Sequence, residues 1–213
     1  MQRVPDWLLS ELEDPFLVFP IQSVSRTISE SIAAADNNLA EALSQSPASR
    51  KYWSVQAEHH FDEIGLLLGA AFVLGQALIT QSISIVVQLQ QTPSWPANLP
   101  RDKVEWMKRG SPIQMKCGLS EVEIIDTSAN YFKHYCEWPQ DWHDPKCVVP
   151  KYATHTIQNA RAIGMLSDNK TDNLISSLTV LGASVSQVEA IASKIQAWRE
   201  TIATQIRAHP SVA

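Results

Sequence analysis

The sequence contains little glycine and little cysteine, and these shortages exclude several classes of protein. Seven glycines in 213 residues, with no phosphate-cradling glycine loop, argue against a nucleoside-triphosphate or dinucleotide fold. Three cysteines are an odd number and include no C-x-x-C pair, so we do not expect a disulfide framework. The N-terminus lacks a basic segment followed by an apolar run, so we expect no secretory signal and predict a cytoplasmic protein.

Charge is also missing from a long central segment, since no charged residue occurs between Ile64 and Pro100. An apolar run of this length is a candidate membrane span. Polar side chains interrupt it, however, and no cluster of lysine or arginine flanks either end to set an orientation. We therefore predict a long helix surrounded by other helices, and no association with a membrane. The formal net charge of −5 also argues against broad electrostatic binding of nucleic acid.

What the sequence does contain is helical periodicity along most of its length. Strand-like alternation never extends beyond a few residues, and no internal repeat is present. This pattern predicts one all-α domain over residues 1–213, an antiparallel bundle of five to seven helices. The predicted helices cover about 23–44, 49–91, 120–138, 152–165, 169–182 and 186–208, the last beginning at a capping box of Ser186 and Glu189. Prolines predict an irregular N-terminal arm at 1–21 and structured loops at 93–118 and 139–150.

The predicted helix from Ser120 to Trp138 carries the most chemical information. Ser120 and Glu123 form an S-x-x-E capping box, which indicates where the helix begins. Helical spacing predicts an apolar stripe of Ile125, Ala129, Phe132 and Cys136. The same spacing predicts a neighbouring polar stripe of Glu123, Asp126, Asn130, His134 and Glu137. A histidine, a carboxamide and carboxylates on one rigid face could transfer protons, or they could form a solvated helix surface.

Within this helix, the run Ala129-Asn-Tyr-Phe-Lys-His134 resembles the signature of HEPN domains (higher eukaryotes and prokaryotes nucleotide-binding). That signature is an arginine, four to six residues and a histidine, often with an asparagine directly after the arginine. Asn130 and His134 match it, whereas Ala129 stands where the family has arginine. HEPN domains are all-helical bundles, and many are metal-independent ribonucleases of bacterial toxin–antitoxin and phage-defence systems.

The resemblance implies a catalytic site and a partner. His134 would act as general acid or base on an RNA 2′-hydroxyl, and Asn130 would orient the ring or the phosphate. Lys133 or Arg161 would supply a cation. Glu58 or Asp62, near the start of the long helix, could pack beside His134 and fix its tautomer. HEPN sites usually form between two copies, so we expect a homodimer, and we expect no cofactor. Because alanine cannot hold a phosphate, the chain is either an active ribonuclease or a relative that no longer cuts.

A second candidate surface follows the long apolar helix. The segment 101–116 interleaves cations with an aromatic residue, which suits single-stranded RNA or an acidic partner, although a charge run can also be a solvated loop. The two tryptophans near Pro139 could line a binding cleft or pack their loop onto the bundle, and we favour packing. The residues that we expect to contact RNA or a partner are Arg101, Lys103, Trp106, Lys108, Arg109, Trp138 and Trp142.

Metal binding is not predicted, although suitable side chains are present. Four residues that zinc accepts as ligands lie within twenty positions, but their spacings match no compact zinc pattern. They are Cys136, His143, Cys147 and His155. The helical carboxylates and histidines also lack the repeated E-x-x-H of di-iron proteins. The alternative to a ribonuclease is a non-catalytic interaction subunit, whose helices and tryptophan-containing loops would bind a partner protein.

Overall fold

The computed structural model describes residues 6–14, 19–44, 50–91, 95, 99–166 and 168–208. These residues form eight α-helices and one short β-hairpin, which confirms the predicted all-α class. The helices are α1 (Asp6–Glu13), α2 (Phe19–Ser44), α3 (Arg50–Gln90), α4 (Lys103–Lys108), α5 (Glu121–His134), α6 (Thr154–Ile163), α7 (Lys170–Val180) and α8 (Ala190–Arg207). Strands β1 (Ile113–Gln114) and β2 (Leu119–Ser120) pair antiparallel, with Ile113 opposite Ser120.

The N-terminal region differs from the prediction of an irregular arm at 1–21. Helix α1 forms there, and its apolar residues Leu8, Leu9 and Leu12 are buried. Helix α1 packs on α8, where the fully buried Arg199 donates hydrogen bonds to the carbonyl oxygens of Glu11 (2.7 Å) and Asp14 (3.4 Å). The prediction was wrong because the prolines lie outside this short helix, and tertiary burial stabilises it.

Two further boundaries differ from prediction. The segment predicted as a loop at 93–118 contains α4 and the first strand of the hairpin. Helix α4 begins there because the side chain of Asp102 caps it by accepting a hydrogen bond from the backbone N–H of Glu105. The last helix does not begin at Ser186. A capping box of Ser184 and Gln187 starts a single 3-10 turn instead, and α8 follows from Ala190.

Helix α3 is the central element of the bundle and contacts α1, α2, α5, α7 and α8. Glycines allow its close approach to α5: a Cβ atom at Gly69 would lie 2.1 Å from the Phe132 ring, and one at Gly75 would lie 2.9 Å from Ile125. Within the described residues, Glu58–Gln90 is long and apolar enough to cross a membrane, and 44% of its apolar window is buried among other elements. A buried core helix passes the same test, so length and composition alone do not distinguish the two.

Helix α5 begins where its capping box predicts, but it ends at His134 rather than near Trp138. The predicted capping box is present, with the backbone N–H of Glu123 bonded to Ser120 Oγ (3.1 Å) and the N–H of Ser120 bonded to Glu123 Oε2 (2.9 Å). After His134 the chain tightens into a 3-10 turn at Tyr135–Glu137. This turn rotates Cys136 out of the predicted apolar stripe, because a 3-10 turn advances about 120° per residue. Cys136 is exposed, and its predicted burial is wrong.

The loop at 139–150 is structured, as predicted, and Arg161 of α6 holds it in place. The Arg161 guanidinium donates to the carbonyl oxygen of Trp142 (Nε, 2.8 Å) and to that of Asp144 (Nη2, 2.7 Å). The rings of Tyr131, Trp138 and Trp142 pack edge-on or tilted, with centroids 5.1–5.8 Å apart. The loop therefore forms a rigid wall beside the C-terminal end of α5.

Candidate functional site

One face of α5 presents polar side chains to the surface, and we call it the outer face. Three of its members, Lys133, His134 and Glu137, are exposed, and two, Asp126 and Asn130, are half-buried. Glu137 belongs to the 3-10 turn that extends the helix. The outer face therefore keeps the predicted polar stripe from Asp126 onward, whereas Glu123, its first predicted member, is buried.

His134 and Glu137 form a direct pair on this face. The Nδ1 atom of His134 lies 3.0 Å from Oε1 of Glu137. A carboxylate oxygen only accepts hydrogen bonds, so the neutral imidazole carries its proton on Nδ1 and its lone pair on Nε2. In this tautomer Nε2 is the ring nitrogen that can accept a proton, as a general base must.

A surface cavity opens beside this pair, between α5 and the start of α6. Its volume is about 330 Å³. Its lining residues are Asn130, His134, Glu137, Trp138, Tyr152, Ala153 and Thr156. We call it the α5–α6 cavity. Its lining contains one carboxylate, one imidazole and two aromatic rings, and neither lysine nor arginine is among these residues.

A hydrogen-bond network fixes the opposite edge of the outer face against α3 and α4. Asp126 accepts bonds from Lys103 Nζ (2.8 Å), Gln76 Nε2 (3.0 Å) and Asn130 Nδ2 (3.1 Å). Lys133 Nζ donates to Gln76 Oε1 at 2.5 Å. The charge of Lys103 is offset by Asp126, whereas the bond of Lys133 goes to a neutral amide.

The residues predicted to be catalytic are therefore only partly brought together. Asn130 and His134 line the α5–α6 cavity, while the amine of Lys133 is directed away from it toward Gln76. Among the described residues, neither Glu58 nor Asp62 bonds to His134. Because Gly69 is the α3 residue next to Phe132, Glu58 lies about 16 Å farther along the α3 axis. Neither Glu58 nor Asp62 is among the residues that line the α5–α6 cavity, where Glu137 pairs with His134 instead.

The position that carries arginine in HEPN domains is closed to ligands in this chain. Ala129 has 0% of its surface exposed and packs in the hydrophobic core. It lies on a different side of α5 from the outer face, so no side chain at this position contributes to the α5–α6 cavity.

The predicted RNA-binding surface at 101–109 is largely engaged within the fold. Trp106 is only 1% exposed, so the prediction that it contacts RNA or a partner is wrong. Its carbonyl oxygen accepts from Trp198 Nε1 (2.9 Å). Lys108 lies 3.9 Å from buried Glu123, and Arg109 donates to Gln205 (2.7 Å).

Arg101 is exposed, and no described bond or ion pair involves its side chain. Trp138 and Trp142 are each 7% exposed, which confirms the interpretation that they pack the loop onto the bundle. Trp138 also contributes to the wall of the α5–α6 cavity.

The four zinc-type ligands do not assemble. In the part of the chain that the structure describes, no three histidine, cysteine or acidic side chains are close enough to hold a metal ion. Cys147 instead donates its thiol proton to Asp141 Oδ1 at 3.2 Å. This hydrogen bond is the main cause of a raised pKa for Cys147, with burial and the negative charge of Asp141 acting in the same direction.

Three residues of the cavity could not be predicted from the sequence. Tyr152, Ala153 and Thr156 come from the turn before α6 and from its first turn, about twenty residues after His134. No spacing rule links them to α5, because the loop at 139–150 determines how the two helices meet.

Comparison with protein-family models, with curated proteins and with solved structures gives no significant match.

Proposed function

We propose that the α5–α6 cavity is an acid–base site that acts on RNA, and that the chain is a HEPN-like, metal-independent ribonuclease of the bacterial defence or toxin–antitoxin type. The observation that supports this most strongly is the His134–Glu137 pair at 3.0 Å on the edge of a cavity of about 330 Å³. A carboxylate-oriented imidazole beside an open cavity is the arrangement that general-base catalysis needs.

The proposed reaction uses the side chains that line the cavity. His134 Nε2 takes the proton of an RNA 2′-hydroxyl, and the 2′-oxygen forms a bond to the adjacent phosphorus. The bond from phosphorus to the 5′-oxygen breaks, and that oxygen takes a proton from water. The products are a 2′,3′-cyclic phosphate and a 5′-hydroxyl end. Glu137 stabilises the imidazolium that forms on His134.

Positive charge would come from beside the cavity. Lys133 is exposed and bonds to a neutral amide, so its charge remains available to attract a phosphate. It does not copy the planar fork of an arginine, which makes two parallel hydrogen bonds to phosphate. The proposal includes a cytoplasmic homodimer, because sites of HEPN domains usually lie where two copies meet.

The test is cleavage of a mixed RNA pool by the purified protein in EDTA. We expect products with 2′,3′-cyclic phosphate ends. The variant His134→Ala should cut at least about a hundredfold more slowly, since general-base catalysis typically contributes that much or more. His155→Ala is the matched control, because His155 is exposed on α6 and does not line the cavity. Absence of cleavage by the wild-type protein, or equal cleavage by His134→Ala, would contradict the proposal.

A second candidate function is a non-catalytic interaction subunit. It is favoured by the burial of Ala129 and by the exposure of large apolar side chains on the hairpin, where Met115 is 95% and Ile113 is 50% exposed. A partner that docks there should form a stoichiometric complex with the wild-type protein in size-exclusion chromatography. Met115→Asp should abolish the complex without altering the circular dichroism spectrum, and an unchanged complex would contradict this assignment.

A further inference from the structure

We infer that Tyr152 is a base-stacking residue and that the α5–α6 cavity takes one unpaired nucleobase of a single strand. This inference rests on the proposed action on RNA and specifies which part of the substrate enters the site. Tyr152 would act as a positioning residue: a base held against its ring would place the attached ribose beside His134.

The first observation is the exposure of the Tyr152 ring. Tyr152 is 73% exposed although it lines a cavity, so its face is available to a ligand. Its backbone is nevertheless fixed, because Pro150 O accepts hydrogen bonds from the N–H of Ala153 (2.9 Å) and from Thr154 Oγ1 (3.1 Å). An exposed ring on an anchored turn can bind a flat ligand with little ordering of the backbone.

The second observation is the rigid aromatic wall formed by Trp138, which also lines the cavity. Trp138 is 7% exposed, and its ring packs against Tyr131 (5.6 Å) and Trp142 (5.1 Å between centroids). Aromatic rings in two parts of the lining favour a planar aromatic ligand. A cavity of about 330 Å³ holds a single base, whereas the bases of a double helix are stacked on each other and cannot enter it.

The third observation is the charge of the lining. Glu137 is the one charged side chain among the lining residues when His134 is neutral, so a phosphate is disfavoured inside the cavity. A neutral base is not repelled, and the side chains of Asn130 and Thr156 can bond to its edge. The phosphates would remain outside, on the side of Lys133. Stacking with edge contacts to a splayed-out base is how proteins commonly recognise single-stranded RNA.

The experiment measures binding without cleavage. A fluorescent hexamer of deoxyadenosine has no 2′-hydroxyl and cannot react, and its dissociation constant with the full chain is measured by anisotropy at low salt. We expect Tyr152→Ala to weaken binding about 5- to 150-fold, the range found for base–aromatic stacking. Tyr152→Phe should bind within about twofold of the wild type, because it keeps the ring face. Trp7→Ala is the control for loss of an exposed aromatic residue, since Trp7 is 61% exposed on α1.

A second probe isolates the base. A hexamer with abasic sugars has the same phosphates, so it should bind the wild type and Tyr152→Ala equally weakly. If Tyr152→Ala binds the deoxyadenosine hexamer as the wild type does, the inference is wrong. It is also wrong if the wild type binds no oligonucleotide, or if a lysine-rich peptide binds through Tyr152 instead. Cleavage that depends on His134 but not on Tyr152 would overturn this inference alone. Tyr152-dependent binding without cleavage would support it and contradict the ribonuclease.

Discussion

Helix α5 has polar side chains that face the core and polar side chains that face solvent. The first group holds neighbouring helices together, whereas the second forms the candidate site. Toward the core, Ser128 Oγ lies 2.8 Å from Ser177 Oγ, Asn173 Nδ2 donates to the Tyr131 hydroxyl (2.9 Å) and Asn159 Nδ2 donates to Thr127 Oγ1 (3.3 Å). These six buried residues link α5 to α6 and α7, and we call them the inner seam. Burial raises the pKa of Tyr131, so its phenol stays protonated well into the alkaline range.

On the outer face, by contrast, polar groups keep contact with water. His134 and Glu137 retain 46% and 51% of their side-chain exposure. A bond between exposed groups contributes little to stability, whereas a buried polar group without its partner is costly. The comparison shows that polar residues of one helix serve different ends according to burial. The inner seam sets how helices pack, and the outer face is free to meet a ligand.

The largest difference in stability between the inner seam and the outer face is expected for two asparagines. Asn173→Ala removes the donor to the buried Tyr131 hydroxyl and leaves a cavity, so we expect the free energy of unfolding to fall by about 2–3 kcal/mol. Asn130→Ala changes the outer face, and we expect a loss below about 1 kcal/mol. Urea denaturation followed by circular dichroism measures both. Equal losses of unfolding free energy in the two variants would show that burial does not determine how much these polar residues contribute to stability.

A smaller effect is expected within the seam, where Ser128 and Ser177 bond to each other. Ser128→Ala or Ser177→Ala alone leaves one buried hydroxyl without this partner, which should cost about 1–2 kcal/mol. The double variant removes both hydroxyls and should cost less than the sum of the single variants. Ser176→Ala is the control, because the exposed Ser176 hydroxyl also lies on α7 and donates to the carbonyl of Asp172 one turn away. Strictly additive losses would mean that the two hydroxyls do not interact.

Most of the fold could be predicted from the sequence, because its signals are local. The capping box at Ser120 and the uncharged apolar run of α3 each depend on residues within one helix. Helix α1 was missed because it is short and is stabilised by contacts with α8, almost 200 positions away. Helix α4 was missed because six residues give too little periodicity to detect.

From the sequence, only the residues of the site that share one helix face could be predicted to lie together. Asn130 and His134 were placed on one face because they are one turn apart. Spacing could not show that Ser128 is buried against Ser177, or that Trp106 supports α8 rather than a ligand, because these contacts join distant segments. The same limit hid Tyr152. A sequence pattern identifies which face of a helix is polar, but the partner elements decide which polar groups remain accessible.

The smallest expected effect concerns a hydrogen bond outside the inner seam, and it is seen in reactivity rather than in stability. The Cys147 thiol donates to Asp141 Oδ1, and this bond raises the pKa of Cys147. Thiolate is the form that reacts, so at pH 8 Cys147 should alkylate with iodoacetamide more slowly in the wild-type protein than in the variant Asp141→Asn. Peptide mapping by mass spectrometry measures each rate separately.

The pH dependence of the alkylation rate tests whether the hydrogen bond to Asp141 causes the slow reaction of Cys147. Because a raised pKa keeps the Cys147 thiol protonated to higher pH, its alkylation rate in the wild-type protein should continue to rise with pH into the alkaline range. Asp141→Asn removes the carboxylate and should shift the Cys147 profile toward lower pH, while the free energy of unfolding stays within about 0.5 kcal/mol. If the profile is unchanged, the hydrogen bond does not control the thiol. If the free energy of unfolding falls by several times that amount, Asp141 stabilises the fold as the residues of the inner seam do. Accessible polar groups outside the core would then also have structural roles.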